Sequence, residues 1–496
     1  MAPVPTFRLV LALALPVMAQ HALYLVVNLS DRYLGGHLPG ETEALIQGRV
    51  EMWTAPIGSD PLLAHAARAA LSTRAEARQA AVLAAQTTAH YLAWSISSYM
   101  VLVTVGSTAL VARFVGAGSR DEANAAAHQS LLLAVGFGIL ASIIGLGGGI
   151  AWLIRFLQLQ GSAAVFAAEF LQPLFFMLAF QVVEAAGIAC LVGAGDTRTG
   201  LFVMAGVAVV NLPLAWSFCY GLGPFPQLGL VGIAIGTALS HVLGCIVVLT
   251  RLAFGRQGLK LRLASFRPRF DLMRRLLRVG IPAAFDSLSV VVGQFWFLSL
   301  VNQLGNEASS AHGIALIWEA LGYLSGAAFG TAAMTLVGQN LGAGRPDQAS
   351  RAGWIAFACG CGVMTMMGLI FFVLAPWMFR VFTSHPPILT TGVPVLRLIA
   401  FAMPALASTI VFTSALRGAG DTRVPVLFTW IGFFVVRIPL AYFFIQPEVS
   451  LGPLGTWRGL DLGLLGAWLA MFADLLIRGG FFLFRFARGA WKTQRV

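Results

Sequence analysis

Long, continuous apolar runs separated by short polar gaps leave this chain few ways to fold. A membrane-spanning helix needs roughly 20 mostly apolar residues, and one such run extends from Arg8 to about Asp31. Further runs near 84–112, 128–156, 164–192, 200–222 and 228–254 complete six in the first half. Six more lie near 279–304, 309–336, 353–379, 391–415, 425–446 and 461–486. The pattern predicts an all-α integral membrane protein with twelve transmembrane helices. A transmembrane barrel would alternate polar and apolar residues in segments of about 10, which these runs do not. With 58% hydrophobic and 10% charged residues, the chain also lacks the polar surface that a water-soluble globule of 496 residues needs.

The first run begins like a signal peptide, with Arg8 and then Pro16-Val17-Met18-Ala19, but its apolar pattern continues to Leu29, too far for such a segment. Residues 35–80 carry Pro39, Glu41, Glu43, Pro56, Asp60 and Pro61 ahead of an Ala- and Arg-rich stretch. We expect an outer-loop insertion there, with a short amphipathic helix on the membrane surface. The net charge of +12 would suit nucleic acid, yet Lys and Arg gather in loops beside apolar runs. Topology accounts for them, and no nucleic-acid partner is expected. The segment 255–278 holds Lys260, Arg262, Arg267, Arg269, Arg274 and Arg275 against Asp271, which makes it a cytoplasmic linker. Counting spans outward from it places both termini in the cytoplasm of a plasma-membrane protein (the inner membrane of a Gram-negative cell). The cysteines Cys190, Cys219, Cys245, Cys359 and Cys361 lie in apolar runs without metal-ligand spacing and read as packing residues.

An internal repeat organises the spans. Gly193-Ala194-Gly195-Asp196-Thr197-Arg198 returns unchanged 225 residues later as Gly418-Ala419-Gly420-Asp421-Thr422-Arg423. Val115-Gly116-Ala117-Gly118 aligns with Leu341-Gly342-Ala343-Gly344 at an offset of 226, as does Asn211-Leu212-Pro213-Leu214-Ala215 with Arg437-Ile438-Pro439-Leu440-Ala441. A near-constant offset means duplication of a six-helix unit. Residues 1–254 and 279–496 are then two homologous bundles. Because each has an even number of spans, a pseudo-two-fold axis along the membrane normal relates them, and a cleft lies between. Within the repeated string, Gly193 and Gly418 open a turn that ends a helix. Asp196 and Asp421 can cap the next helix, and Arg198 and Arg423 can face phosphates at the membrane surface. These read as structural turns.

On these motifs the chain resembles the multidrug and toxic compound extrusion (MATE) transporters, part of a larger superfamily of drug and lipid-linked oligosaccharide exporters. The resemblance also rests on Val337-Gly338-Gln339-Asn340-Leu341-Gly342-Ala343-Gly344-Arg345-Pro346 and on Gly223-Pro224-Phe225-Pro226 with Gly229. It implies a V-shaped pair of bundles that works as a monomer by alternating access. Such a protein exports small amphipathic, often cationic compounds in exchange for H⁺ or Na⁺, with no cofactor.

Ionisable groups inside a membrane cost at least about 2.5–3.5 kcal/mol at its centre on insertion scales, so those that persist are candidates for ion coupling. Asp31 matches the first-helix carboxylate that the family uses for this. Asn211 and Pro213 match a polar, kinked position facing the first helix. Some members carry a second carboxylate one turn on, where this chain has Ala215. Asp286, four residues after Pro282, and Glu319 are further ion-coupling candidates. Glu184, Arg437, Asp474 and Arg478 are expected to pair internally, the last two across one helical turn. Tyr24, Tyr91, Trp94, Gln294 and Trp318 are candidate cleft residues that could hold a small-molecule substrate, the aromatics by stacking on a cation. The remaining partner is membrane lipid.

A flippase for a lipid-linked molecule is the alternative within the same superfamily, and it would favour a more basic cleft. A membrane-embedded enzyme would need a nucleophile with its base or a metal set. The sequence offers no Ser/His/Asp grouping, His-Glu-x-x-His or phosphate loop. A passive channel fits the duplicated halves poorly.

Overall fold

The structure, a computed structural model, describes residues 6–36, 98–156, 161–262, 266–450 and 456–494. The 35–80 insertion from residue 37 onward, with its expected amphipathic helix, and the cleft candidates Tyr91 and Trp94 lie outside the described residues.

The first half consists of α1 (Thr6–Gly36), α2 (Ser98–Gly116) and α3 (Arg120–Ile144), which runs through a π-helical turn at Gly145–Gly149 into α4 (Ile150–Phe156). Then come α5 (Gly161–Phe176), α6 (Leu178–Gly193), α7 (Thr197–Tyr220) and α8 (Gly229–Phe254). The second half is α9 (Phe270–Asn302), α10 (Asn306–Gly342), α11 (Pro346–Arg380), α12 (Pro386–Ala419) and α13 (Arg423–Trp430), which passes through a π-helical turn at Ile431–Arg437 into α14 (Ile438–Ile445). A two-stranded antiparallel ribbon, β1 (Glu448–Ser450) with β2 (Thr456–Arg458), leads to α15 (Gly463–Arg488). Among the described residues eleven helical segments are long and apolar enough to cross a membrane, and α5 with α6, bent by 55° at their junction, makes twelve if the pair is one span. Pro173 sits in the last turn of α5, where its missing N–H weakens the ladder just before the bend.

The apolar run expected from 279 starts, as a helix, at Phe270. The basic segment does not stop it, because Leu272, Leu276 and Val279 fall on one buried face while Arg274 and Arg278 point outward. That face packs with the first half, whereas Phe297, Leu300 and Val301 at the other end of α9 belong to the core of the second half. The first helix does the reverse. Val10, Leu13 and Ala14 of α1 pack among Phe329, Val337, Phe412 and Trp491 of the second half, while Leu34 packs with Ala215, Cys219 and Ile233 of the first. Each half therefore lends the start of its first helix to the other at the end that carries the 255–278 linker. At the opposite end the two cores contain residues of one half only.

Candidate functional site

The polar network of the first half is built on three helices. Asn211 of α7, fully buried, donates from Nδ2 to Thr237 Oγ1 of α8 at 2.9 Å, and Thr237 donates its hydroxyl proton to Asp31 Oδ2 of α1 at 3.0 Å. The hydroxyl thus relays one amide to one carboxylate, which fixes the direction of both bonds. One turn along α8 from Thr237, His241 Nδ1 donates to Glu184 Oε2 of α6 at 2.8 Å, and Glu184 is buried. Asn211 Oδ1 is buried without a hydrogen-bond partner among the described residues. The Asp31 and Asn211 expectations therefore meet at one place. Ala215 is completely buried in the core of this half, so the second carboxylate of some family members has no counterpart there. Neither Thr237 nor His241 was singled out in the sequence as a site residue. The available signal was Thr237 and His241 four apart in a largely apolar helix, where they share a face.

Away from the linker end, the ion-paired residues described in the second half form two groups. Asp286 on α9 pairs with Arg417 at the end of α12 at 2.7 Å, so its charge has a fixed partner. Asp474 on α15 takes Arg437 at 2.6 Å and Arg478 at 2.7 Å, and all three are buried. The expected turn-spaced pair is therefore a triad, with its third member delivered by the π-helical turn before α14. That turn also places Phe433 under both guanidinium groups, 4.1 Å from Arg437 and 4.7 Å from Arg478. Glu319 on α10 is half-buried and lies within electrostatic range of Arg437 and Arg478, with no hydrogen bond or ion pair among the described residues. One turn further on, Tyr323 is 52% exposed although α10 packs against α1, α9, α11 and α12.

The expected cleft residues that are described stand on three helices. Tyr24 is 38% exposed on α1. Three residues before it, His21 Nδ1 donates to the Leu324 carbonyl of α10 at 3.1 Å, where the two halves cross. Gln294 is half-buried on α9. Trp318 packs edge-on against Phe382 at 5.9 Å, and its Nε1–H is buried without a partner among the described residues.

The repeated strings lie at the linker end and do two jobs. Gly195 and Gly420 take φ of 91° and 86°, which turns the chain out of α6 and α12. Gly193 and Gly418 are instead buried residues within the last turns of α6 and α12, and they admit the backbones of Thr108 and Met334. Asp196 caps α7 by accepting from Thr199 N at 3.0 Å and also takes Arg256 at 2.7 Å. Asp421 makes no such cap; both of its bonds go to Arg485, at 2.6 and 3.0 Å. Arg198 and Arg423 are exposed at the same end. Each string is also gripped from the other half. Arg113 of α2 donates to the Ala419 carbonyl at 3.1 Å, and Gln339 of α10 donates to the Gly193 carbonyl at 2.9 Å.

Two bundles built on one repeated unit, crossing at one end and parting at the other around buried charged groups, describe a duplicated membrane transporter. A family model described as MatE matches residues 76–217 and again residues 282–443, together more than half of the chain. The chain belongs to this family of transporters. It is 29% identical over 406 residues to a probable multidrug resistance protein NorM of Thermotoga maritima, covering 81% of this chain and 84% of that one. It is 26% identical over 373 residues to the multidrug resistance protein MdtK of Pectobacterium atrosepticum, covering 73% and 80%. Among solved structures, an outward-facing multidrug resistance MATE transporter of the MOP superfamily superimposes with a TM-score of 0.80 at 20% identity, over 98% of this chain and 96% of that one. A MATE protein in a straight conformation gives 0.79 at 19% identity, over 98% and 97%.

Proposed function

We propose that this protein exports small amphipathic, chiefly cationic compounds in exchange for inward H⁺ or Na⁺, with the coupling ion carried by Asp31. The observation that carries the reading is the Asn211–Thr237–Asp31 chain. A carboxylate deep in a helical bundle is costly to keep, and this one sits on the helix that passes from one half to the other. An ion bound there is placed to respond when the halves move. In this reading the linker end and both termini face the cytoplasm, as the exposed Arg198, Arg423, Arg488 and the 255–278 segment favour. The relatives named for multidrug resistance support the substrate class. A lipid-linked substrate is less well supported, because Arg417, Arg437 and Arg478 of the second half are each engaged by a carboxylate.

The test is uptake of a fluorescent cationic dye into proteoliposomes under separate imposed H⁺ and Na⁺ gradients. We expect one gradient to drive accumulation and Asp31→Asn to abolish it, with the thermal unfolding of the variant still cooperative. Accumulation that persists in Asp31→Asn, or that neither gradient drives in the unaltered protein, overturns the assignment.

A further inference from the structure

The last turn of α8 opens onto a cavity of about 440 Å³ lined by Thr250, Arg251, Phe254, Gly255 and Arg256. From Gly229 to Thr250 the helix carries no Asp, Glu, Lys or Arg. At 1.5 Å per residue that stretch spans about 33 Å, against about 30 Å of hydrocarbon in a bilayer. Arg251 therefore stands where the apolar layer ends, and the cavity lies at headgroup depth. No acidic residue among those described lines it. Arg251 is exposed, and its side chain makes no hydrogen bond or ion pair among the described residues. Arg256, in contrast, is held rigidly. Its backbone N–H donates to the Leu259 carbonyl at 2.8 Å, its carbonyl accepts from Leu259 N at 2.9 Å, and its Nε donates to Asp196 at 2.7 Å. The terminal N–H groups of that guanidinium are left without a partner among the described residues. Thr250 adds no donor, because its hydroxyl proton goes to the Ile246 carbonyl at 2.6 Å. Phe254 is 84% exposed, the barest large apolar side chain among the described residues. The C-terminal end of α8, equivalent to about half a negative charge, would by itself repel an anion. Two full positive charges outweigh it.

We infer that this cavity binds the phosphate of an anionic phospholipid from the leaflet at the linker end, with Arg251 and Arg256 on the phosphate oxygens and Phe254 against the upper carbons of the lipid. The inference is independent of the export reading and needs only that α8 crosses a bilayer. A guanidinium meets phosphate through paired N–H groups. Arg251 and the unused end of Arg256 supply them without breaking any bond seen in the structure. A zwitterionic headgroup brings a cation along with its phosphate, so it meets the two arginines with little net attraction. A soluble phosphate ester lacks the chains that would cover Phe254. Because Nε of Arg256 stays on Asp196, a bound lipid ties the cap of α7, and with it the first repeated turn, to the membrane surface.

The experiment is titration of the purified full-length protein, delipidated in a neutral detergent, with dioctanoylphosphatidylglycerol, the first bound lipid being counted by native mass spectrometry. Dioctanoylphosphatidylcholine is the probe without net charge, and glycerol 3-phosphate is the soluble phosphate. We expect the glycerol lipid to bind about tenfold more tightly than the choline lipid and to resist displacement by glycerol 3-phosphate. Arg251→Gln should weaken the glycerol lipid about fivefold, the worth of one arginine at an anionic surface, and leave the choline lipid unchanged. Arg198→Gln is the control, an exposed arginine at the same end that does not line the cavity, and it should change neither. Should Arg251→Gln misfold, Phe254→Ala removes a side chain that is almost wholly exposed, and it should weaken the glycerol lipid several-fold. Equal affinity for the two lipids, or ready displacement by glycerol 3-phosphate, overturns the site. So does equal weakening by Arg251→Gln and Arg198→Gln, which would mean that the basic surface attracts lipid as a whole.

Discussion

Asp196 shows how one side chain of the repeated string acts. Burial alone would raise its pKa, but hydrogen bonds from Thr199 and from Arg256 outweigh that and hold the carboxyl below the usual carboxylate range. A native value below the unfolded one means stability that is present above the ordinary aspartate value of about 3.9 and is lost as pH falls through the native value. We expect Asp196→Asn to lower stability by about 1–2 kcal/mol at neutral pH, the range of a lost helix cap. The gap from the unaltered protein should close as the medium is acidified below about pH 4. Thermal unfolding in detergent across pH measures this, and a gap that widens on acidification would refute it. The sequence could announce the capping role, since an Asp three residues before Thr199 at a helix start has a local signature. It could not announce Arg256, which lies 60 residues away, nor that Asp421 would give up the cap for a fork of Arg485. The same limit explains the triad. Arg478 was legible from its spacing to Asp474, whereas Arg437 joins from another helix through a π-helical turn that no periodicity signals.

Between elements, the ends of α2 and α10 meet as equivalent partners at the linker end. A Cβ on Gly116 would overlap the Gln339 carbonyl oxygen, and a Cβ on Gly342 would overlap that of Arg113. These are the positions related by the 226-residue offset, so each glycine receives the residue three before its counterpart. The repeat was plain in the sequence. That its copies touch across the pseudo-two-fold axis was not, because a repeat specifies what each unit is and leaves open how the two units are docked. We expect Gly342→Ala to loosen this junction by about 1–3 kcal/mol, as overpacking does. Hydrogen exchange should accelerate in residues 340–345 and in the Ala117–Ser119 turn. Gly136→Ala, where nothing lies within 4 Å of the added carbon, is the matched control and should leave exchange unchanged there. Equal exchange in the two variants would show that the contact does not hold the end closed.

For the whole molecule, the exchange of α1 and α9 between halves at one end, and separate cores at the other, define a body hinged at its linker end in the state described here. A transporter that works by exposing one site to the two sides in turn has to undo this junction in each cycle. Arg113 to Ala419 and Gln339 to Gly193 are then bonds made in one state and absent in the other. Across the axis Ala112 faces Gly338, where an added Cβ would lie 2.9 Å from that of Ala112. A disulfide needs roughly 3.5–4.5 Å between these carbons, so Ala112→Cys with Gly338→Cys should cross-link after the helices part by a small fraction of their width. Mild oxidation of the double variant in vesicles should stop gradient-driven dye transport, and reduction should restore most of it. Neither single variant should respond. The cysteines Cys190, Cys219 and Cys245 are buried and Cys359 and Cys361 lie together on α11 of the second half, so a bond between halves has the new pair as its source. Transport that continues at full rate with the link formed would mean that the linker end stays shut throughout the cycle, and that the halves move about it as a fixed joint.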